Sequence, residues 1–138
     1  MIVVDSSAVI AMMFGEPRSD RLAGRLAGDP IGQRVMSVAN YLEAGTVLAG
    51  RQTQPVKAPA VLDDFINLCG IELRPVDATQ ARMALDARIR FGRGFGAGAG
   101  LNFGDCFAYA LAKSLSAPLL FVGEDFVFTD LESALTSP

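Results

Sequence analysis

Asp5, Glu43 and Asp105 are the side chains from which chemistry is most readily built. Asp5 ends an apolar, β-branched run from Ile2 to Val4, so it stands at the carboxyl end of an expected strand, where open parallel sheets bind ligands. Glu43 lies inside an expected helix with Ala39, Leu42, Ala44 and Val47 around it, and a carboxylate among such neighbours needs a partner, which can be a cation. Asp105 is third in a helix that Asn102 would cap, and Phe103, Phe107, Ala108, Ala110, Leu111 and Ala112 mark that helix as mostly buried. Each acid also has an ordinary structural explanation: a helix cap for Asp5 and Asp105, a solvent-facing helix edge for Glu43. Three converging carboxylates would raise one another's pKa unless a cation neutralised them. Oxygen-only ligation suits Mg²⁺, or Mn²⁺, which lowers the pKa of a bound water and stabilises charge in an in-line phosphoryl displacement.

A fourth acid is expected from Gly123-Glu124-Asp125-Phe126, the loop after a late apolar run, with Asp125 preferred and Glu124 its rival. Ser7 places a hydroxyl two residues beyond Asp5, suited either to a metal or phosphate or to N-capping. Arg82, Arg88, Arg90 and Arg93 lead into the glycine-rich stretch Gly92 to Gly100. Asp86 is placed to pair with Arg82 and Arg90 on the helix surface, while Arg90 and Arg93 are the candidates to receive a nucleic-acid backbone. The GxGxxA match from Gly94 to Ala99 follows a helix rather than a strand, so it predicts a mobile loop beside the site, not a dinucleotide cradle.

The absence of histidine from all 138 residues removes histidine-based triads, His-assisted RNA cleavage and His-ligated zinc together. Hydrolysis near neutral pH must then rest on carboxylates and the metals they hold, or on rarer bases. With 51% hydrophobic and 20% charged residues the composition is that of a folded domain, and the length fits one domain over 1–138. A net charge of −3 argues against a globally basic nucleic-acid binder but leaves room for a local arginine patch. Cys69 and Cys106 lack CxxC spacing, which predicts reduced thiols. No apolar run is long enough to span a bilayer and no basic n-region precedes Asp5, so the expectation is a cytoplasmic protein without membrane contact.

The elements that must position these acids alternate along the chain. Strands are expected at Ile2 to Val4, Arg34 to Met36, Ile71 to Val76 and Leu119 to Val122. Helices are expected over Ala8 to Phe14 with Ser6-Ser7 as cap, Arg18 to Ala27, Ser37 to Arg51, Ala60 to Cys69, Asp77 to Arg90 and Asn102 to Leu115, with a linker from Thr53 to Pro59. That alternation predicts an α/β protein of three layers, α/β/α, with a central parallel sheet.

Three segments carry a family resemblance. Met1-Ile2-Val3-Val4-Asp5-Ser6-Ser7-Ala8, the Tyr41-Leu42-Glu43-Ala44 helix and Leu101-Asn102-Phe103-Gly104-Asp105-Cys106-Phe107-Ala108-Tyr109-Ala110 together resemble a VapC-type toxin of the PIN-domain ribonucleases. The resemblance spans nearly the whole chain, and its last segment is the most specific. It implies a PIN-like fold and a Mg²⁺-dependent endoribonuclease that leaves 5′-phosphate and 3′-hydroxyl ends. It further implies the toxic half of a type II toxin–antitoxin pair, a VapB-like antitoxin, and a homodimer. By the same resemblance Asp5, Glu43 and Asp105 form the metal-binding trio. The fourth acidic position departs from the family pattern: Phe121-Val122-Gly123 puts glycine where many members carry aspartate, and Asp125 is the candidate to compensate.

Two rival classes are set against this reading. A receiver domain or aspartyl phosphatase also uses an acidic Mg²⁺ pocket, but Ser6-Ser7 after Asp5 fits neither the paired acids of the first nor the DxD of the second. The other is a catalytically inactive PIN-like module that binds RNA or protein.

Overall fold

The computed structural model describes residues 1–95 and 100–135. The mobile-loop expectation for the glycine-rich stretch falls largely on 96–99, outside the described residues. Ile2–Val4 (β1) is fully buried, as its unbroken apolar run requires of a central parallel strand. It is flanked by Arg34–Ser37 (β2) and Leu119–Leu120 (β4), and Glu72–Arg74 (β3) lies beyond β2, giving the order β3-β2-β1-β4 with every pair parallel. The chain thus grows outward from β1 to β3 and returns to the opposite side of β1 as β4. That reversal puts the topological switch point, where open parallel sheets bind ligands, at the carboxyl ends of β1 and β4.

Alternation along the strands divides the core between two faces. Ile2, Val4, Met36 and Leu120 pack beneath Ser6–Met13 (α1), Ser19–Ala27 (α2), Val38–Arg51 (α3) and Ala58–Leu68 (α4), which add Val9, Leu22, Leu48 and Leu62. Val3, Val35 and Leu119 pack beneath Ala78–Phe91 (α5) and Phe103–Leu115 (α6), which add Ala87, Cys106, Tyr109 and Leu111. Parallel strands covered on both faces make the expected three layers. Among the described residues no helix is long and apolar enough to cross a membrane.

Several boundaries differ from expectation for local reasons. Helix α1 begins at Ser6 because Asp5, not Ser6 or Ser7, is its N-cap, accepting from the Ser7 amide at 3.1 Å. The Thr53 to Pro59 stretch is not a plain linker: Pro55–Lys57 forms a 3₁₀ turn and α4 starts at Ala58, since proline is compatible with a helix's first turn. Strand β3 is shorter than Ile71 to Val76. Strand β4 stops at Leu120 because the Val122 amide leaves the ladder and donates to Ser7 Oγ at 3.0 Å.

Candidate active site

Asp5 sits where β1 ends and α1 begins, 2% exposed. Its Oδ2 accepts from the Ser7 amide and, at 2.6 Å, from Ser7 Oγ; its Oδ1 is buried and accepts nothing. Burial drives its pKa up to about 6; the Ser7 hydrogen bonds oppose the rise, and the charge of Glu43 adds to it.

Glu43 reaches the same place from α3, which starts at the carboxyl end of β2 behind its Ser37 cap. Ser6 Oγ donates to Glu43 Oε1, and Asn40 Nδ2 lies 3.3 Å from the same oxygen. The apolar surroundings expected of Glu43 are only half realised. Ala44 is buried, whereas Leu42 and Val47 face solvent, so polar partners rather than an apolar shell hold this half-buried acid.

Asp105 is both a cap and a neighbour of Asp5. It closes a reciprocal cap at the start of α6: the Asn102 amide donates to Asp105 Oδ2 at 3.0 Å, and the Asp105 amide donates to Asn102 Oδ1 at 2.9 Å. Burial pushes its pKa up to about 8 against the Asn102 hydrogen bond, and the charges of Asp5 and Asp125 push the same way. Asp125, half-buried in the turn after β4, lies near enough to Asp105 for its charge to raise the Asp105 pKa, whereas Glu124 is exposed. Of the two rivals, Asp125 is therefore the acid brought to the site.

The carboxylates adjoin as a series, Glu43 to Asp5 to Asp105 to Asp125. Among the described residues no three of them form a ready-made metal cage. Ser7 is turned inward, its hydroxyl shared between Asp5 and Val122. Arg90 is engaged elsewhere: it pairs with Asp86 at 3.3 Å and Asp130 at 3.8 Å and lies 4.7 Å over the Phe91 ring. Arg93 is exposed, and its side chain has no ion-pair partner among the described residues. The arginine expectation thus divides, with Arg93 available to a ligand and Arg90 held by acids of its own chain.

A family profile for the PIN domain matches residues 2–131. The chain belongs to the PIN-domain family. Among its relatives is a protein named Ribonuclease VapC from Mycolicibacterium smegmatis, 44% identical over 130 residues, covering 94% of this chain and 97% of that protein. Ribonuclease VapC28 of Mycobacterium tuberculosis is 44% identical over 134 residues, covering 97% and 98%. The crystal structure of Mycobacterium tuberculosis VapC20, described as a sarcin-ricin loop cleaving toxin, aligns with a TM-score of 0.69 over 96% of this chain and 99% of its own. At 18% identity that likeness speaks for the fold, and the three-layer PIN architecture agrees with it.

In this PIN domain the acidic series fits a hard divalent cation. All its donors are oxygens, Asp5 Oδ1 is a buried acceptor without a hydrogen bond, and burial and mutual repulsion already favour protonation of Asp5 and Asp105. A series rather than a cage suits an ion that keeps several of its waters. Ser6 as a donor to Glu43, and Gly104, which meets the acid from α6, escaped the sequence reading; Asn40 is legible there as a polar neighbour of Glu43, but not as its hydrogen-bond partner. The only signal was spacing, since Asn40 is three residues before Glu43 and so shares its helix face.

Proposed function

We propose that this PIN domain is a metal-dependent endoribonuclease that hydrolyses RNA phosphodiester bonds as the toxin of a VapBC-like pair, leaving 5′-phosphate and 3′-hydroxyl ends. The observation that carries the reading is the buried, unpartnered Asp5 Oδ1 beside Asp105 and Glu43, at the point where the strand order reverses. Asp5 and Asp105 would hold Mg²⁺, or Mn²⁺, most directly; Glu43 would complete the set, in part through water, and Asp125 would orient the attacking water or a second ion. The bound ion supplies a water of lowered pKa and neutralises charge on the phosphate oxygens. Ser7 keeps Asp5 Oδ2 occupied and leaves Oδ1 as the unpartnered oxygen, and Ser6 holds Glu43 through Oε1. Arg93 supplies positive charge for the RNA backbone.

A VapB-like antitoxin and a second copy of the chain are the protein partners of this reading, and cytoplasm is its compartment. Support for protein partners comes from the apolar rim of the site, where Leu42 and Phe103 are 69% and 75% exposed. Both border an open pocket of about 520 Å³ that also reaches Glu43 and Phe107. The reading is tested on purified protein and single-stranded RNA. Cleavage is expected with Mg²⁺, to stop with a chelator and to return with excess metal. Asp5→Asn and Asp105→Asn are each expected to abolish it while leaving the circular-dichroism spectrum unchanged. Cleavage by either variant at the parental rate would refute the assignment. That no three acids form a ready-made metal cage among the described residues is the feature that favours an inactive RNA- or protein-binding module, and RNA binding without metal-dependent cleavage would select it.

A further inference from the structure

Glu43 is the site acid with the longest side chain, and its carboxylate is fixed from two directions. Asn40, 0% exposed, lies one helical turn before it on α3. The Asn40 Nδ2 group donates at 2.9 Å to the carbonyl of Gly104 in the first turn of α6 and at 3.3 Å to Glu43 Oε1, leaving Asn40 Oδ1 buried without a donor. One amide therefore ties the helix bearing Glu43 to the helix bearing Asp105. Gly104 meets the acid from the other side. A Cβ at this position would overlap Glu43 Oε2 outright and stand 2.7 Å from its Cδ, so the carboxylate occupies the space of the missing side chain. Gly104 has no positive φ. Closeness, not backbone freedom, is what calls for glycine there.

We propose that Asn40 and Gly104 form a seat that holds the Glu43 carboxylate against the start of α6, making both positioning residues for the metal centre. The proposal rests on the metal-dependent reading of the site. Its physical content is a separation of fold from function. A methyl group at position 104 meets the far end of a flexible side chain, which can swing away, and alanine is a better helix residue than glycine. The helix should therefore tolerate the change while Glu43 is displaced.

Mn²⁺ binding to the metal-free full chain by titration calorimetry, melting temperature, and RNA cleavage with kcat and KM resolved are measured on the parental protein and Gly104→Ala. Gly104→Ala is expected to weaken Mn²⁺ binding by roughly 10- to 100-fold, the range for removing an outer partner of a metal ligand. It should lower kcat more than it raises KM, with the melting temperature unchanged or higher. Glu43→Asp withdraws the carboxylate by one methylene, so adding Gly104→Ala to it should cost little more Mn²⁺ affinity; losses that add in full would overturn the seat. Asn40→Leu, which keeps the volume and removes the amide, is expected to weaken Mn²⁺ binding in the same direction, and Gly104→Ala remains decisive if that variant does not fold. A parental protein that binds Mn²⁺ and cleaves RNA while Gly104→Ala matches it would overturn the seat alone. A parental protein that does neither would overturn the underlying reading, and the seat with it.

Discussion

Ser7 Oγ donates to Asp5 Oδ2 at 2.6 Å and itself accepts from the Val122 amide at 3.0 Å. One small side chain thus fastens the central carboxylate to the end of β4, on the opposite side of β1 from β2. It also explains why β4 pairs for only two residues.

Removing that hydroxyl should be felt in both stability and chemistry. Ser7→Ala leaves a half-buried amide unpartnered and takes one hydrogen bond from an ionised acid, a loss of about 1–3 kcal/mol in urea unfolding. The Ser7 hydrogen bonds hold the Asp5 pKa down, so Asp5 in the variant keeps its proton to higher pH. Cleavage should fall, and its pH–rate profile should move to higher pH. An unshifted profile would show that Ser7 is not what tunes Asp5.

Metal-free protein should lose stability as pH rises. The Asp5 and Asp105 pKa values, about 6 and about 8 in the fold, both lie above their ordinary value of 3.8. Such acids favour the fold fully at pH below the ordinary value, and their contribution is withdrawn as pH climbs through the raised ones. Asp29 and Asp130, whose values are lowered, act in the opposite sense and only at more acidic pH. Urea unfolding in the presence of a chelator is therefore expected to show about 2 kcal/mol or more lost between pH 5 and pH 8. Excess Mg²⁺ at pH 8 should restore much of it. A flat profile with chelator would mean that the two acids are not desolvated as described.

Arg93 and Arg90 should part company in RNA binding. Arg93→Ala is expected to raise KM and to reduce the slope of log affinity against log salt by about one, the signature of a lost phosphate contact. Arg90→Ala removes a guanidinium already paired with Asp86 and Asp130 and should leave that slope nearly unchanged. Equal effects would place both arginines on the RNA.

Much of the scaffold was legible because its signals are local. The β-branched run at Ile2 to Val4, the caps at Ser37, Asp77 and Asn102, and the helical periodicities between them act over a few residues, and each recurs in the fold close to its expected place. Asp5 and Asp105 stood out for the same reason: each lies at the start of a helix whose cap it makes or completes. What stayed hidden was competition between local and distant partners. Nothing near Val122 announces that its amide will leave the strand for a hydroxyl 115 residues earlier. The loop alone could not decide between Asp125, the preferred acid, and Glu124; the fold does, packing one beside Asp105 and turning the other to water.

By itself, then, the amino-acid sequence determined the alternation of strands and helices and the chemical type of the site, carboxylates with no histidine to share the work. Tertiary structure alone decided which groups keep those carboxylates company. Ser6 meets Glu43 across 37 residues and Asn40 meets the Gly104 carbonyl across 64. Propensity and capping are summed along the chain, whereas the first contact exists only once α1 and α3 pack on one face of the sheet, and the second only once α3 and α6 meet from opposite faces at the end of β1.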